Sequence, residues 1–215
     1  MGYFASSGGL GTPDSTTRLN YYGMSGLPNL VCNGTIQWSG AAVSDADGLR
    51  YRAIILGQMS QPSYFKVTVN SVDLTAPTGE INLDIEVMED GVDVSNMVLR
   101  MILMESDVLY SGTFYDDVTR DMVDEVAVTV SSLGQVQNVV RTFPVDATWV
   151  EANLEIVSFL QDDTDKKIHA AASSHPTPDD SMRYYALGAT QHVGESSGFF
   201  YFDDFEIFNT GTLTD

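Results

Sequence analysis

Cys32 is the only thiol in a chain of 215 residues, and it closes the run Tyr21-Tyr22-Gly23-Met24-Ser25-Gly26-Leu27-Pro28-Asn29-Leu30-Val31-Cys32-Asn33-Gly34-Thr35. Thiol exchange needs an attacking thiolate and normally a resolving partner, so one cysteine cannot run a dithiol cycle. It also cannot form an intramolecular disulfide, and in an apolar run it reads as a small buried hydrophobe. The aromatic run Phe199-Phe200-Tyr201-Phe202 leads into Asp203 and Asp204. Those residues offer ring stacking at Tyr201 with polar contacts at Asp203 and Asp204, suited to a glycan or a calcium ion. The favoured reading of the same residues is the core of an aromatic strand, because aromatics favour strands. Asp162, Asp163 and Asp165, like Asp45 and Asp47, carry hard oxygen ligands. Neither group completes a calcium loop, which leaves solvated turns as their expected role. His169, His175 and His192 are too dispersed for a zinc site. There is no Gly-x-Ser-x-Gly elbow, no glycine-rich phosphate loop and no carboxylate pair with a reason for shifted pKa values. The expectation is a protein that is not an enzyme, with no catalytic residues, no metal centre and no cofactor beyond a weakly indicated Ca²⁺.

Composition narrows the partners. The 30 acidic residues outnumber the 10 basic ones, giving a formal charge of −20 with no cluster of Lys or Arg. Nucleic acid is excluded as a natural partner, since phosphate binding needs a basic footprint. An anionic membrane surface is disfavoured on the same ground. The hydrophobic content of 43% belongs to a chain that buries a core. No apolar run is long enough to predict a membrane span. Met1-Gly2-Tyr3-Phe4 lacks the regions of a signal peptide, which reads as a chain that starts inside a longer protein.

The elements that must position these residues change character along the chain. Residues 1–20 are rich in Gly, Ser and Thr, and a short helix is predicted over 16–22. An apolar strand then turns at Asn33-Gly34 into a second arm, Thr35-Ile36-Gln37-Trp38-Ser39. Asn33-Gly34-Thr35 matches a glycosylation sequon, but the same residues make a good hairpin turn. Ser44-Asp45 offers a helix start, followed by Leu49, Ala53, Ile54 and Leu56 at helical spacing. From Ser63 onward the period is two. Phe65, Val67 and Val69, then Ile81, Leu83, Ile85 and Val87, then Val126, Val128 and Val130 each alternate with polar residues. Further strands are expected over 97–104, which is continuously apolar apart from Arg100, and over 138–143 and 154–160. Turn chemistry at Pro77-Thr78-Gly79, Asp90-Gly91, Ser132-Leu133-Gly134 and Asp162-Asp163 separates them. Short strands at such spacing imply an antiparallel β-sandwich. The proline-containing stretch 173–180 reads as a linker, with strands expected over 184–187 and 199–208.

Two resemblances follow from these motifs. The aromatic-Gly-x-x-Gly-x-Pro run over 21–28 resembles the end of a thioredoxin fold, in which the proline is cis and faces the dithiol. That implies Pro28 as a structural cis-proline. Helix, strand, hairpin and helix in order are what the second half of such a fold contains. The run Asn96-Met97-Val98-Leu99-Arg100, then Asn138-Val139-Val140-Arg141, then Trp149 with Asn153-Leu154, then Phe159-Leu160-Gln161-Asp162, then Lys166-Lys167-Ile168-His169-Ala170-Ala171-Ala172 resembles the Omp28-related bacterial surface proteins. The resemblance covers roughly residues 20–172. It implies a thioredoxin-like domain followed by a β-sandwich, export to the cell surface or medium, and no assigned biochemistry. The Cys-x-x-Cys that the family pattern places at the start of the thioredoxin domain is missing, and with it the central strand beside the Pro28 strand.

The expected fold is therefore mainly β, an antiparallel β-sandwich over 63–172 preceded by a partial thioredoxin-like α/β segment over 1–62. A linker and C-terminal strands are expected over 173–215. A half-domain leaves an unpaired edge, which calls for other protein subunits, as a homo-oligomer or polymer. The leading expectation is a secreted or cell-surface structural protein. A carbohydrate-binding module using Tyr201, Asp203 and Asp204 is the first alternative, and a fragment of a thiol-disulfide oxidoreductase-like protein is the second.

Overall fold

A computed structural model describes residues 9–24, 29–39, 49–59, 61–174, 188–190 and 201–203. Helix α1 (Pro13–Tyr22) starts three residues earlier than the expected 16–22, because Thr12 and Ser15 form a capping box. Thr12 Oγ1 accepts the Ser15 amide at 3.1 Å and Ser15 Oγ accepts the Thr12 amide at 3.3 Å. Pro13 at the first position needs no amide partner. The helix stops at Gly23, which takes a left-handed φ of 69°. The Gly23 and Met24 amides donate back to the Asn20 and Leu19 carbonyls at 2.9 and 3.0 Å, which satisfies the last turn. Strands β1 (Asn29–Cys32) and β2 (Ile36–Ser39) then form the hairpin expected at Asn33-Gly34, with Leu30 opposite Trp38 and Cys32 opposite Ile36. Both turn residues have positive φ, 52° and 77°. Helix α2 (Leu49–Met59) follows.

The remainder is mainly β, as expected. Strands β3 (Phe65–Asp73), β4 (Thr78–Val87), β5 (Met97–Glu105), β6 (Val108–Tyr110), β7 (Thr113–Tyr115), β8 (Val118–Ala127), β9 (Val136–Pro144), β10 (Leu154–Asp162) and β11 (Ile168–Ser173) are all paired antiparallel. A three-stranded sheet in the order β3-β4-β9 faces a four-stranded sheet in the order β11-β10-β5-β8. The inner faces share one core that includes Ile81, Leu83, Ile85, Leu99, Met101, Leu103, Ile156 and Leu160. Burying each of these side chains contributes about 1.5–3 kcal/mol. Outside the sandwich, β12 (Gly188–Thr190) pairs with β13 (Tyr201–Asp203).

Two strands show why the sheets differ. In β4 the inward Ile81, Leu83, Ile85 and Val87 are buried while Glu80 is exposed and Asn82, Asp84 and Glu86 are only half-buried, as a sheet with one wet face requires. In β5 every residue but Val98 is buried, so both faces of the four-stranded sheet are covered at its centre. The second face holds a separate apolar group of Ile102, Met104 and Phe159, flanked by Met122, Val157 and Ile168. Helix α1 lies over this face.

Several local expectations need correction. The strand around Val126 begins at Val118 and ends at Ala127, so Val128 leaves the strand, although it remains buried in the core. Thr78 and Gly79 open β4 instead of forming a turn, and the cis peptide among the described residues precedes Pro77. The β6–β7 hairpin was not expected. Its two-residue loop, Ser111-Gly112, has φ of 51° and 84°, the pair of left-handed residues that a type I′ turn requires.

Candidate functional site at the helix-to-sandwich seam

The densest polar constellation among the described residues lies where α1 meets the end of β10. Gln161 terminates the apolar run of β10 and is fully buried. Its Oε1 accepts from Arg18 Nη2 at 2.9 Å and from Arg100 Nη1 at 3.2 Å. Its Nε2 donates to the Tyr22 hydroxyl at 2.9 Å and to the Lys166 carbonyl at 2.6 Å. A primary amide has two acceptor positions and two donors, so Gln161 is saturated. Two cationic neighbours on one side and a carbonyl on the other also fix which way round the amide lies.

Each partner arrives from a different element. Arg18, at the centre of α1, is buried and also donates to the Tyr22 hydroxyl one turn on at 2.7 Å. Its Nε is buried without an acceptor. Arg100, in the middle of β5, meets Asp163 at 2.9 Å and Glu125 at 3.0 Å. Tyr21 donates its hydroxyl to Asp163 Oδ1 at 2.8 Å. Three cations surround the Tyr21 ring: Arg18 at 4.5 Å, Arg100 at 5.1 Å and Lys166 at 5.4 Å from its centre. Cations over an aromatic face are attracted by its quadrupole. Burial first, then the hydrogen bond to Asp163 and its charge, push the Tyr21 phenol well above the ordinary tyrosine range, against the opposing pull of Arg100 and Arg18.

The β1–β2 hairpin is held at the same place. The Ile168 amide donates to the Asn33 carbonyl at 3.1 Å, and Gln37 Nε2 donates to the Tyr22 carbonyl at 2.7 Å. Asn33 Nδ2 reaches Gln58 Oε1 on α2 at 2.9 Å. Gly34 lies so close to the β10–β11 turn that a Cβ there would sit 1.7 Å from the Lys166 carbonyl oxygen. Helix, hairpin and second helix therefore converge on one turn of the sandwich.

This arrangement joins segments of the chain that are far apart in sequence. Guanidinium groups stay protonated, an amide does not titrate, and the Tyr21 proton is held more firmly than usual. Cys32 is half-buried, and burial pushes its thiol up, which reduces the thiolate that exchange chemistry would use. Asp163 is an exposed turn residue, as expected from sequence, but its carboxylate oxygens also meet Arg100 and Tyr21. Asp162 and Asp165 also behave as turn residues, accepting the Thr164 and Lys167 amides at 2.7 and 2.8 Å. Burial, and next the charge of Lys167, lower the pKa of His169, whose ring stands edge-on to Phe65 at 6.2 Å. Among the described residues no group of three or more His, Cys, Asp or Glu gathers as a metal site.

The other expected site residues fall elsewhere. Pro28, Asp45, Asp47, His175, His192 and Asp204 lie outside the described residues. Tyr201 and Asp203 are the ends of β13, opposite Thr190 and Gly188. Sequence reasoning missed Arg18, Gln161 and Asp163 as a unit. The available signal was Arg100 inside a continuously apolar strand, since a charge there requires buried partners.

The chain shares its fold with HBP35 of Porphyromonas gingivalis, at a TM-score of 0.60 and 10% sequence identity, over 89% of this chain and 68% of that one. A domain of the outer membrane lipoprotein Omp28 from the same organism aligns at a TM-score of 0.38 and 13% identity, over 53% of this chain and 88% of that domain. β-Glucosidase 3B from Thermotoga neapolitana aligns at a TM-score of 0.32 and 13% identity, over 52% of this chain and 15% of the enzyme. The last two likenesses are partial and lie below the level at which a common fold follows. No protein-family description matches the sequence, and no curated protein does.

Proposed function

We propose that this chain is a non-enzymatic structural protein of the cell surface or extracellular space that works as a subunit of a larger assembly. The observation that carries this reading is the saturated bonding of Gln161: the buried polar residues with chemical potential are spent in locking α1 and the β1–β2 hairpin to the sandwich. Exposed apolar side chains supply the complementary half. Leu109 and Phe114, register partners on the β6–β7 hairpin, are 62% and 59% exposed. A surface location is supported by the motif resemblance to Omp28-related proteins. The likeness to HBP35 supports only the shared fold.

Sedimentation velocity over a hundredfold range of concentration tests the assembly claim. The weight-average mass should rise above the monomer mass of 23.4 kDa as concentration increases. A constant monomer mass would remove the assembly role. Labelling of intact producing cells with a membrane-impermeant amine reagent tests the location. Modification of the chain before lysis is expected, and protection until lysis would overturn the surface assignment.

A further inference from the structure

We propose that Asn33 is a site of spontaneous deamidation, restrained by the docking of the β1–β2 hairpin, and that its conversion to aspartate or isoaspartate releases that hairpin from the sandwich. The inference goes beyond the assembly reading and does not depend on it.

The sequence supplies the reactive pair. Asn33-Gly34 is the one asparagine–glycine pair in the chain, and every other asparagine precedes a residue that carries a side chain. Without a Cβ, glycine leaves its amide nitrogen open to close approach. In the reaction that nitrogen gives up its proton and attacks Asn33 Cγ. The new carbon–nitrogen bond forms as the Cγ–Nδ2 bond breaks, and Nδ2 leaves as ammonia with the proton. Water then opens the five-membered imide. Addition at one carbonyl gives aspartate, and addition at the other gives isoaspartate, whose main chain runs through the old side chain and is one carbon longer. No oxidant or reductant takes part, and water is the co-reactant.

The folded chain holds the reacting groups off this path. Ring closure needs Cγ within bonding reach of the Gly34 nitrogen, so orientation governs the rate. The Asn33 side chain is anchored elsewhere, because Nδ2 donates to Gln58 Oε1 on α2 at 2.9 Å. The Asn33 carbonyl accepts the Ile168 amide at 3.1 Å, and the φ of 52° is that of a tight hairpin turn. Gly34 is buried against the β10–β11 turn. Attack therefore requires the hairpin to lift off first, and local opening sets the pace.

Either product fits its old place badly. Aspartate at position 33 has no donor for Gln58 Oε1, and it adds a negative charge to a chain already at −20. Isoaspartate adds a main-chain carbon beside Gly34. Even a Cβ on that glycine would sit 1.7 Å from the Lys166 carbonyl oxygen, so a longer main chain has no room to return. Release is one-way.

Incubation of the whole chain at mildly alkaline pH, followed by intact mass and peptide mapping, tests the site. Deamidation adds about 1 Da and one negative charge. It should map to Asn33 and run at least tenfold slower in the folded chain than in concentrated urea. Gln58→Ala should speed it in the folded chain and leave the rate in urea unchanged. A folded chain that reacts as fast as the unfolded one, or an unaltered rate in folded Gln58→Ala, would overturn the restraint by docking. The modified chain, separated by anion exchange, should show faster hydrogen exchange at the Ile168 amide than the unmodified chain. Equal protection in the two would overturn the release, and neither failure would touch the assembly reading.

Discussion

Arg18 and Gln161 lie 143 positions apart in sequence and share a buried hydrogen bond of 2.9 Å. That bond ties the middle of α1 to the last turn of the apolar strand β10. Gln161→Leu would remove the acceptor that Arg18 and Arg100 share while leaving both guanidinium groups in place. Arg100 retains Asp163 and Glu125, whereas Arg18 retains only the Tyr22 hydroxyl. Leaving a buried cation short of an acceptor is costly, and a loss of about 3 kcal/mol in unfolding free energy is expected. Gln161→Glu keeps an acceptor for both arginines but loses the two donations to Tyr22 and Lys166, so its loss should be smaller. Urea denaturation of the three chains checks the order.

Gly34 makes a sharper contrast with another glycine of the same φ. Gly34 and Gly91 both sit at 77°, but a Cβ at Gly34 would lie 1.7 Å from the Lys166 carbonyl oxygen while one at Gly91 meets nothing within 4 Å. Gly91→Ala carries only the backbone penalty of a left-handed residue, about 1–2 kcal/mol. Gly34→Ala adds a collision between two backbones that cannot rotate away, and should separate the hairpin from the β10–β11 turn. Faster hydrogen exchange at the Ile168 amide, which donates to Asn33, would report that separation. Equal destabilisation by both substitutions would count against this account.

The sandwich was legible because its strands keep period two. The alternation of β4 alone places Ile81, Leu83, Ile85 and Val87 on one buried face, and the structure keeps that register along the strand. The hairpin at Asn33-Gly34 was legible for a similar reason, since its turn residues carry the left-handed φ that their types allow. The β6–β7 hairpin was not, because strands of three residues are too short to show a period. The seam was hidden by distance. Tyr21 and Tyr22 read as the approach to a proline strand, and their partners Asp163 and Gln161 read as the end of another. Only the tertiary fold brings them together. Arg100 was the one visible irregularity, and its partners cannot be inferred from one sequence.

Tyr21 gives the seam a pH dependence of known sign. Its folded-state pKa is raised above the ordinary value near 10, chiefly by burial and then by Asp163. The neutral phenol is the form that the fold favours, so its contribution is complete below about pH 10 and is lost as the pH climbs towards the raised value. Tyr21→Phe lacks both the hydroxyl and the titration. The stability gap between the unchanged chain and Tyr21→Phe, measured by urea denaturation, should be constant from pH 7 to 9 and shrink by pH 11.5. A gap that widens with pH would mean that Tyr21 ionises more readily in the folded chain.

Asp121 works in the opposite direction at neutral pH. It lies half-buried in β8, and burial, followed by the charge of Asp14 on α1, raises its pKa; the Met122 amide opposes that shift and the charge of Asp124 adds a little to it. A carboxyl whose folded pKa is raised supports the fold while protonated, and that support disappears as the pH rises through the folded value. At pH 7 the charged Asp121 is therefore a net burden on the contact between α1 and β8. Asp121→Asn keeps the size and the polarity of the side chain and removes the charge. It should raise the thermal midpoint at pH 7 slightly, a small gain because the half-exposed carboxylate is screened by solvent. The advantage should fade as the pH falls below about 4, where the unsubstituted carboxyl is itself neutral. Asp14→Asn should give a smaller gain, because Asp14 is the second cause of the shift and not the first. Parallel melts of the three chains at pH 7 and pH 3.5 check the sign, and an Asp121→Asn chain less stable at pH 7 than at pH 3.5 relative to the parent would contradict it.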